Sequence, residues 1–324
     1  MKRHRGKIYT SFSMGIRKNN FFNPVCRSKL NKGYKTMGEE MHYIEEVGNS
    51  IVKADEYLKS LFYKLSPLYK KEHGENQDVV VPLFTSLHST SESILILLLN
   101  QAIFDADVLL RTVMEGTIKY CYLMTGTEDE KRDKYIEYKV KLTDIDKIID
   151  HNKAVKTVDI LREFSTNSTK PFELSILSDE ELSKLLAQYP RRERDELKRK
   201  WSYQSLLRSL AHNNQEYEAQ LGTLSTYSLT SHFCHFDWTG VSSRNAQIMD
   251  SVNPNAIVFD IMHCNRIISN VLSMELFRIG EYMRGNSFCS KEVAVLSLEV
   301  YEFIINLDKV NNEFLEKNIV RRAE

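Results

Sequence analysis

Arg111 and Glu115, four residues apart, and Ser231 and His235, also four apart, are the residues here whose types suit chemistry on a phosphate or another anion. A guanidinium holds an oxyanion through fixed N–H donors. An imidazole titrates near neutrality and moves protons. A carboxylate orients the guanidinium, and a hydroxyl donates to or accepts from the reacting group. Together these perform proton transfer and charge stabilisation.

Two segments must present these groups. In the first, Phe104, Asp107, Arg111, Glu115, Ile118 and Tyr122 form one helical stripe, apolar at its ends and charged in the middle. Arg111 can pair with Asp107 or Glu115 at this spacing. The trio is read either as a buried ion-pair network or as an anion holder with Arg111 at its centre. In the second, Tyr217, Leu221, Leu224, Ser228, Ser231 and His235 follow steps of four and three, so the seam of a helix over 215–235 turns from apolar to polar. Buried polar groups need partners or a ligand. His235 is either an acid/base group or an end-of-helix histidine bonding a carbonyl. His232, three residues earlier, gives a His-x-x-His pair that can bind metal on one helix face, but no Glu-x-x-His of the di-iron bundle type accompanies it, and Asp237 either orients His235 or caps the next segment. Arg208 and His212 make another Arg–His pair, whereas His88 and His263 read as structural. No metal ligand set, Gly-rich phosphate loop or nucleophile elbow is expected.

The rest of the chain is a helical frame. It has 324 residues, 42% hydrophobic, with only twelve Gly and six Pro. That is too little turn chemistry for a many-stranded protein. Helices are expected over 37–72, 80–101, 103–125, 128–150, 153–164, 178–189, 201–211, 215–235, 254–285 and 290–317, with a loop from Asp237 to Asn253. Ser178 and Glu181 form a capping-box signature, and Pro254 sits at a first helical position. The fold class is all-α, a multi-helix bundle of residues 37–324 with 128–200 as a helical insertion or subdomain.

Charge is zero overall but uneven. Ten of the 44 basic residues lie in 1–36, which has no acid, leaving 34 basic against 44 acidic residues in the rest. This tail reads as a disordered basic arm, as sequence upstream of the functional start, or as a nucleic-acid or membrane contact. Five scattered cysteines suggest a reducing compartment, and the longest unbroken apolar run, Ile94–Leu99, is too short for a membrane span. A cytoplasmic location follows as an expectation.

Leu109–Leu123 (LLRTVMEGTIKYCYL), followed by Tyr227–Gly240 (YSLTSHFCHFDWTG), resembles an uncharacterised family of bacterial all-helical proteins whose pattern is Arg-x3-Glu and a later Ser-x3-His. The similarity covers roughly residues 80–285. Such proteins look distantly like HEPN domains, helical bundles that often dimerise and act as metal-independent ribonucleases in toxin and antiviral systems. The resemblance implies a HEPN-like core and Arg111, Glu115, Ser231 and His235 as catalytic residues. Asp107, Ser228, His232, Asp237, Arg208 and His212 would contact substrate. It implies no cofactor, and as partners RNA or a nucleotide, an antitoxin or defence-system protein, and a second copy of the chain. HEPN nucleases carry Arg-x4–6-His on one helix. Here Arg208 and His212 are one residue short of that, so the guanidinium would come from a neighbouring helix as Arg111. The other reading is a non-catalytic helical module that binds a ligand or protein through the same polar core.

Overall fold

In the computed structural model, residues 38–71, 74, 76–164, 169–249, 254–286 and 290–318 are described; the basic tail and Asn253 lie outside them. Every described element is helical, and no strand occurs among these residues. We number the α-helices α1 (Gly38–Tyr69), α2 (Val81–Leu99), α3 (Ile103–Met124), α4 (Glu128–Ile136), α5 (Leu142–Glu163), α6 (Lys170–Glu173), α7 (Asp179–Gln188), α8 (Arg191–Lys200), α9 (Tyr203–Asn213), α10 (Thr223–His235), α11 (Trp238–Met249), α12 (Pro254–Gly285) and α13 (Lys291–Asn318).

The bundle is built around α3. It packs on α2, α12, α10 and α9, while α1 and α13 close the side formed by α2 and α12. The heptad-like apolar positions explain this. Ile51, Ala54, Leu58, Leu61 and Leu65 of α1 are all buried, as are Ala106, Leu110, Val113, Met114 and Ile118 of α3. Gly116 lets α2 approach closely: a Cβ there would stand 2.3 Å from Leu87 Cδ2. The segment Asp78–Leu99 is long and apolar enough by composition to cross a bilayer. In the bundle its residues Phe84, Leu87, Ile94, Leu95 and Leu98 pack inward. The main buried core takes in Ile145, Tyr189 and Leu197 from α5, the α7 cap and α8.

Two expected helix breaks differ. Residues 128–163 run as one rod, with a π turn at Glu137–Lys141 joining α4 to α5. The segment from Asp237, expected as a loop, contains α11. The Ser178–Glu181 capping box forms as expected.

The centre of the bundle is charged. Glu275 and Arg278 of α12 are both wholly buried and ion-paired. Arg278 also donates to Thr117 of α3, and Glu275 meets His88 Nδ1 of α2 at 3.3 Å. Burial pushes the Glu275 carboxyl up, but the Arg278 charge and the His88 hydrogen bond outweigh it and hold it below the ordinary range. Three helices are thereby tied at one level.

Candidate functional site

The α3 stripe divides between two partners. Toward α10, Arg111 Nη1 donates to Ser231 Oγ, and Nη2 donates to Tyr227 Oη at 3.1 Å. Tyr227 Oη in turn donates to Glu115 Oε2 at 3.1 Å, and Lys119 Nζ donates to Glu115 Oε1 at 2.7 Å. Arg111 also lies 4.3 Å over the Tyr227 ring, which stacks on Tyr203 of α9. Burial raises the Glu115 carboxyl, but Lys119, Tyr227 and Arg111 more than reverse this and hold it low. Arg111 itself makes no ion pair among the described residues. Ser231, Tyr227 and the Cys234 thiol hold it, and Glu115, reached through Tyr227, supplies an opposite charge without bonding it directly.

Toward α12, Asp107 is wholly buried and takes His263 Nε2–H and both hydrogen bonds of Arg266 Nη2, at 2.7 and 2.8 Å. Burial alone would raise the Asp107 carboxyl. The His263 bond and the Arg266 charge outweigh it, leaving the carboxylate ionised below its ordinary range. The expected pairing of Arg111 with Asp107 is therefore replaced by one across helices, and Asp107 is not open to a substrate. The His263 side chain keeps 20% of its surface exposed. Its Nε2 is held by Asp107, so the imidazole has a fixed tautomer and, among the described residues, an unbonded Nδ1. Sequence reasoning sets His263 aside as a lone histidine and overlooks Arg266. Their spacing of three on one face of α12 is the available signal.

Phe104 links the two halves. Its ring meets Phe233 of α10 at 4.8 Å and His263 of α12 at 5.9 Å. Along α10, Tyr227 stands beside Glu115 and Arg111, Ser231 beside Arg111, and Phe233 beside Phe104. The helix is thus antiparallel to α3 and ends, at His235, at the level of Phe104 and Asp107. α10 and α12 both pack on α3, and Phe104 touches Phe233 of the one and His263 of the other, with His235 two residues beyond Phe233. His235 is exposed and makes no hydrogen bond or ion pair among the described residues.

The inward face of α10 is turned by one residue from the expected seam. Tyr227, Thr230, Ser231 and Cys234 face α3, while Ser228 and His235 sit at the exposed edge. Two 3₁₀ turns, Gln215–Tyr217 and Ala219–Gly222, precede the helix. They wind tighter than an α-helix, so a phase extended from Tyr217 slips. Arg208 and His212 are exposed on α9 and join neither half of the site.

Asp237 does cap the next segment. Its Oδ1 accepts from Gly240 N at 3.1 Å, and its Oδ2 takes His232 Nδ1–H at 2.5 Å, so it orients His232 and not His235. Gly240 is buried where α11 folds back on α10, and a Cβ there would lie 2.3 Å from the His232 carbonyl oxygen. Gly240→Ala must displace backbone, so a loss of about 1–3 kcal/mol is expected, read as a lowered melting temperature. An unchanged melt would show that this corner yields freely.

One further carboxyl lies near this level. Burial raises Asp260 of α12 to about 7. The folded state then keeps a proton that the unfolded chain has already lost, so stability falls as pH rises from the ordinary carboxylate range to about 7. Asp260→Asn should flatten that fall. Equal slopes of melting temperature against pH in the two proteins would contradict it.

No curated protein and no solved structure matches the chain. Residues 77–251, which include α3 and α10 and amount to more than half of the chain, match DUF5677, described as a family of unknown function. The Arg111–Ser231 hydrogen bond thus lies within the matched segment, and the chain belongs to the DUF5677 family.

Proposed function

We propose that the face of α3 flanked by α10 and α12 binds the phosphodiester of RNA or a related nucleotide and cleaves it without a metal, as a HEPN-like effector of a bacterial toxin or antiviral system would. The observation that carries this reading is Arg111. It is half-buried, held by Ser231 and Tyr227, and balanced by no direct carboxylate among the described residues, which suits a guanidinium kept for an anion. Imidazoles on the two flanking helices supply the protons. His263, anchored by Asp107, takes the proton of the ribose 2′-hydroxyl through Nδ1, and O2′ attacks phosphorus. The P–O5′ bond breaks, His235 gives its proton to O5′, and Arg111 stabilises the charge on the nonbridging oxygens. The products are a 2′,3′-cyclic phosphate and a free 5′-hydroxyl. Glu115 acts through Tyr227 to position Arg111.

Purified full chain, incubated with RNA in the presence of a chelator, is expected to yield cyclic-phosphate ends. Arg111→Ala should weaken RNA binding by about tenfold or more, the value of one charge-assisted hydrogen bond. Intact RNA with wild-type protein, together with equal RNA affinity for wild type and Arg111→Ala, would overturn the reading.

A specific observation favours the other reading, a non-catalytic module that binds a ligand or a protein. The chain Arg111–Tyr227–Glu115–Lys119 satisfies itself, and His235 is held by none of the described residues. On that reading Arg111→Ala lowers the melting temperature and leaves RNA untouched.

A further inference from the structure

The outer face of α13 carries an apolar stripe that no helix of the bundle covers. Val293, Val300, Ile304 and Leu307 point inward and are buried. On the opposite side Val295, Leu298, Tyr301 and Ile305, at steps of three and four, stand 48%, 62%, 56% and 47% exposed. A solvated helix face ordinarily carries polar side chains, and clustered apolar exposure marks a contact surface. The ion pairs of α13 among the described residues are those of Glu292 with Lys64 and Glu313 with Lys309. Glu299 and Glu302, exposed beside the stripe, are left as unpaired charges among these residues. The surface is therefore both apolar and acidic.

Size and charge select the occupant. A stripe of these side chains, about 15 Å long at the helical rise, offers a small fraction of the roughly 800 Å² per partner of a stable dimer. A second copy docked here would also bring its Glu299 and Glu302 carboxylates against like charges. A small acidic and apolar surface suits a basic segment tethered to it, because the tether supplies an effective concentration on the order of millimolar. Residues 1–36 have that chemistry, with ten Lys or Arg, no acid, and Ile8, Phe12, Ile16, Phe21 and Phe22 among them. They also leave from a suitable end. Lys64 pairs with Glu292, and the Tyr57 ring meets Phe303, so α1 runs antiparallel to α13. The start of α1 at Gly38 thus lies toward the C-terminal end of α13. Ile305 is about 25 Å from that level along α13, and the chain from Ile16 to Gly38 reaches up to about 70 Å.

We propose that residues 1–36 dock on the outer face of α13 of their own chain, with cations beside Glu299 and Glu302 and apolar side chains on Leu298 and Ile305. This does not rest on the phosphate reading. The full chain is treated with a carbodiimide, which joins lysine amines to carboxylates in direct contact. Peptides linking Lys7 or Lys18 to Glu299 or Glu302 are expected, and high salt should reduce them, since the ion pairs are at the surface. In an equal mixture of isotope-labelled and unlabelled chain, both halves of each linked pair should come from the same copy. Leu298→Gln with Ile305→Gln changes two exposed positions and should leave the melting temperature unchanged. It should remove those links and speed tryptic cleavage at Arg17 by about tenfold or more, because cleavage tracks the released population and burial of one Leu is worth at least that factor. Leu174→Gln, at an 89% exposed position away from α13, should change neither readout. Should the double variant fail to fold, Glu299→Gln with Glu302→Gln supplies the same cleavage comparison. Links from residues 1–36 that miss α13, links only between labelled and unlabelled copies, or cleavage at the wild-type rate in a folded double variant would overturn the proposal.

Discussion

Glu275→Ala is expected to cost about 3–5 kcal/mol of stability, a fall of roughly ten degrees in melting temperature. Both members of the Glu275–Arg278 pair are wholly buried. Truncating Glu275 leaves a guanidinium in the core with the Thr117 hydroxyl and the Phe84 ring beside it and, among the described residues, no ion-pair partner. Desolvation of that cation dominates the loss. Replacing both members, as Glu275→Leu with Arg278→Met, removes the two charges together and should restore most of the stability. The pH dependence has a definite sign. The folded carboxyl lies below its ordinary value of 4.5, so its contribution is complete above that value. It is lost as pH falls through the depressed folded value. The gap between wild type and Glu275→Gln should therefore narrow in acid and remain constant from neutral to mildly alkaline pH. A double variant no more stable than Glu275→Ala would show that the pair itself is needed for packing.

On the proposed reading, His263→Ala should slow RNA cleavage at saturating substrate by about 10²–10⁴-fold, the usual contribution of a positioned general base. Asp107→Asn should act in the same direction, because the amide cannot fix the His263 tautomer as the carboxylate does. Both should change kcat more than KM. Arg111→Ala, in contrast, should raise KM as well, since on the proposed reading its guanidinium would bind the phosphate in ground and transition states alike. Added imidazole should restore part of the rate to His263→Ala and none to Arg111→Ala. A purely structural Asp107–His263 pair would give a lowered melting temperature, an unchanged rate per folded molecule and no imidazole rescue. His235→Ala, at an exposed position, tests the proton donor with little risk to folding.

Much of the frame is legible in the residues because each helix carries its own signals. The α1 apolar stripe, Gly126 after α3, the Ser178–Glu181 box and Pro254 at the start of α12 are all local. Arg111 and Ser231 are also legible, since each is polar on a stripe that must face inward. The phase of α10 is not, because it depends on where the 3₁₀ turns stop. Nor is α11, whose start depends on Asp237 reaching Gly240 and whose packing depends on the missing Cβ of Gly240. The partners on α12 are hidden for a different reason. His263, Arg266, Glu275 and Arg278 each look like a lone polar residue in an apolar helix, and what satisfies most of them lies on helices far back in the chain.

That separation has a consequence for biosynthesis. Asp107 meets Arg266 across 159 positions, and Thr117 meets Arg278 across 161. On the ribosome, α3 emerges beside α2 but long before α12 exists, presenting the apolar surface that α12 will cover and a bare carboxylate to water. Closing so long a span is entropically slow, so the nascent polypeptide should depend on holding chaperones until the stretch through residue 285 has been translated.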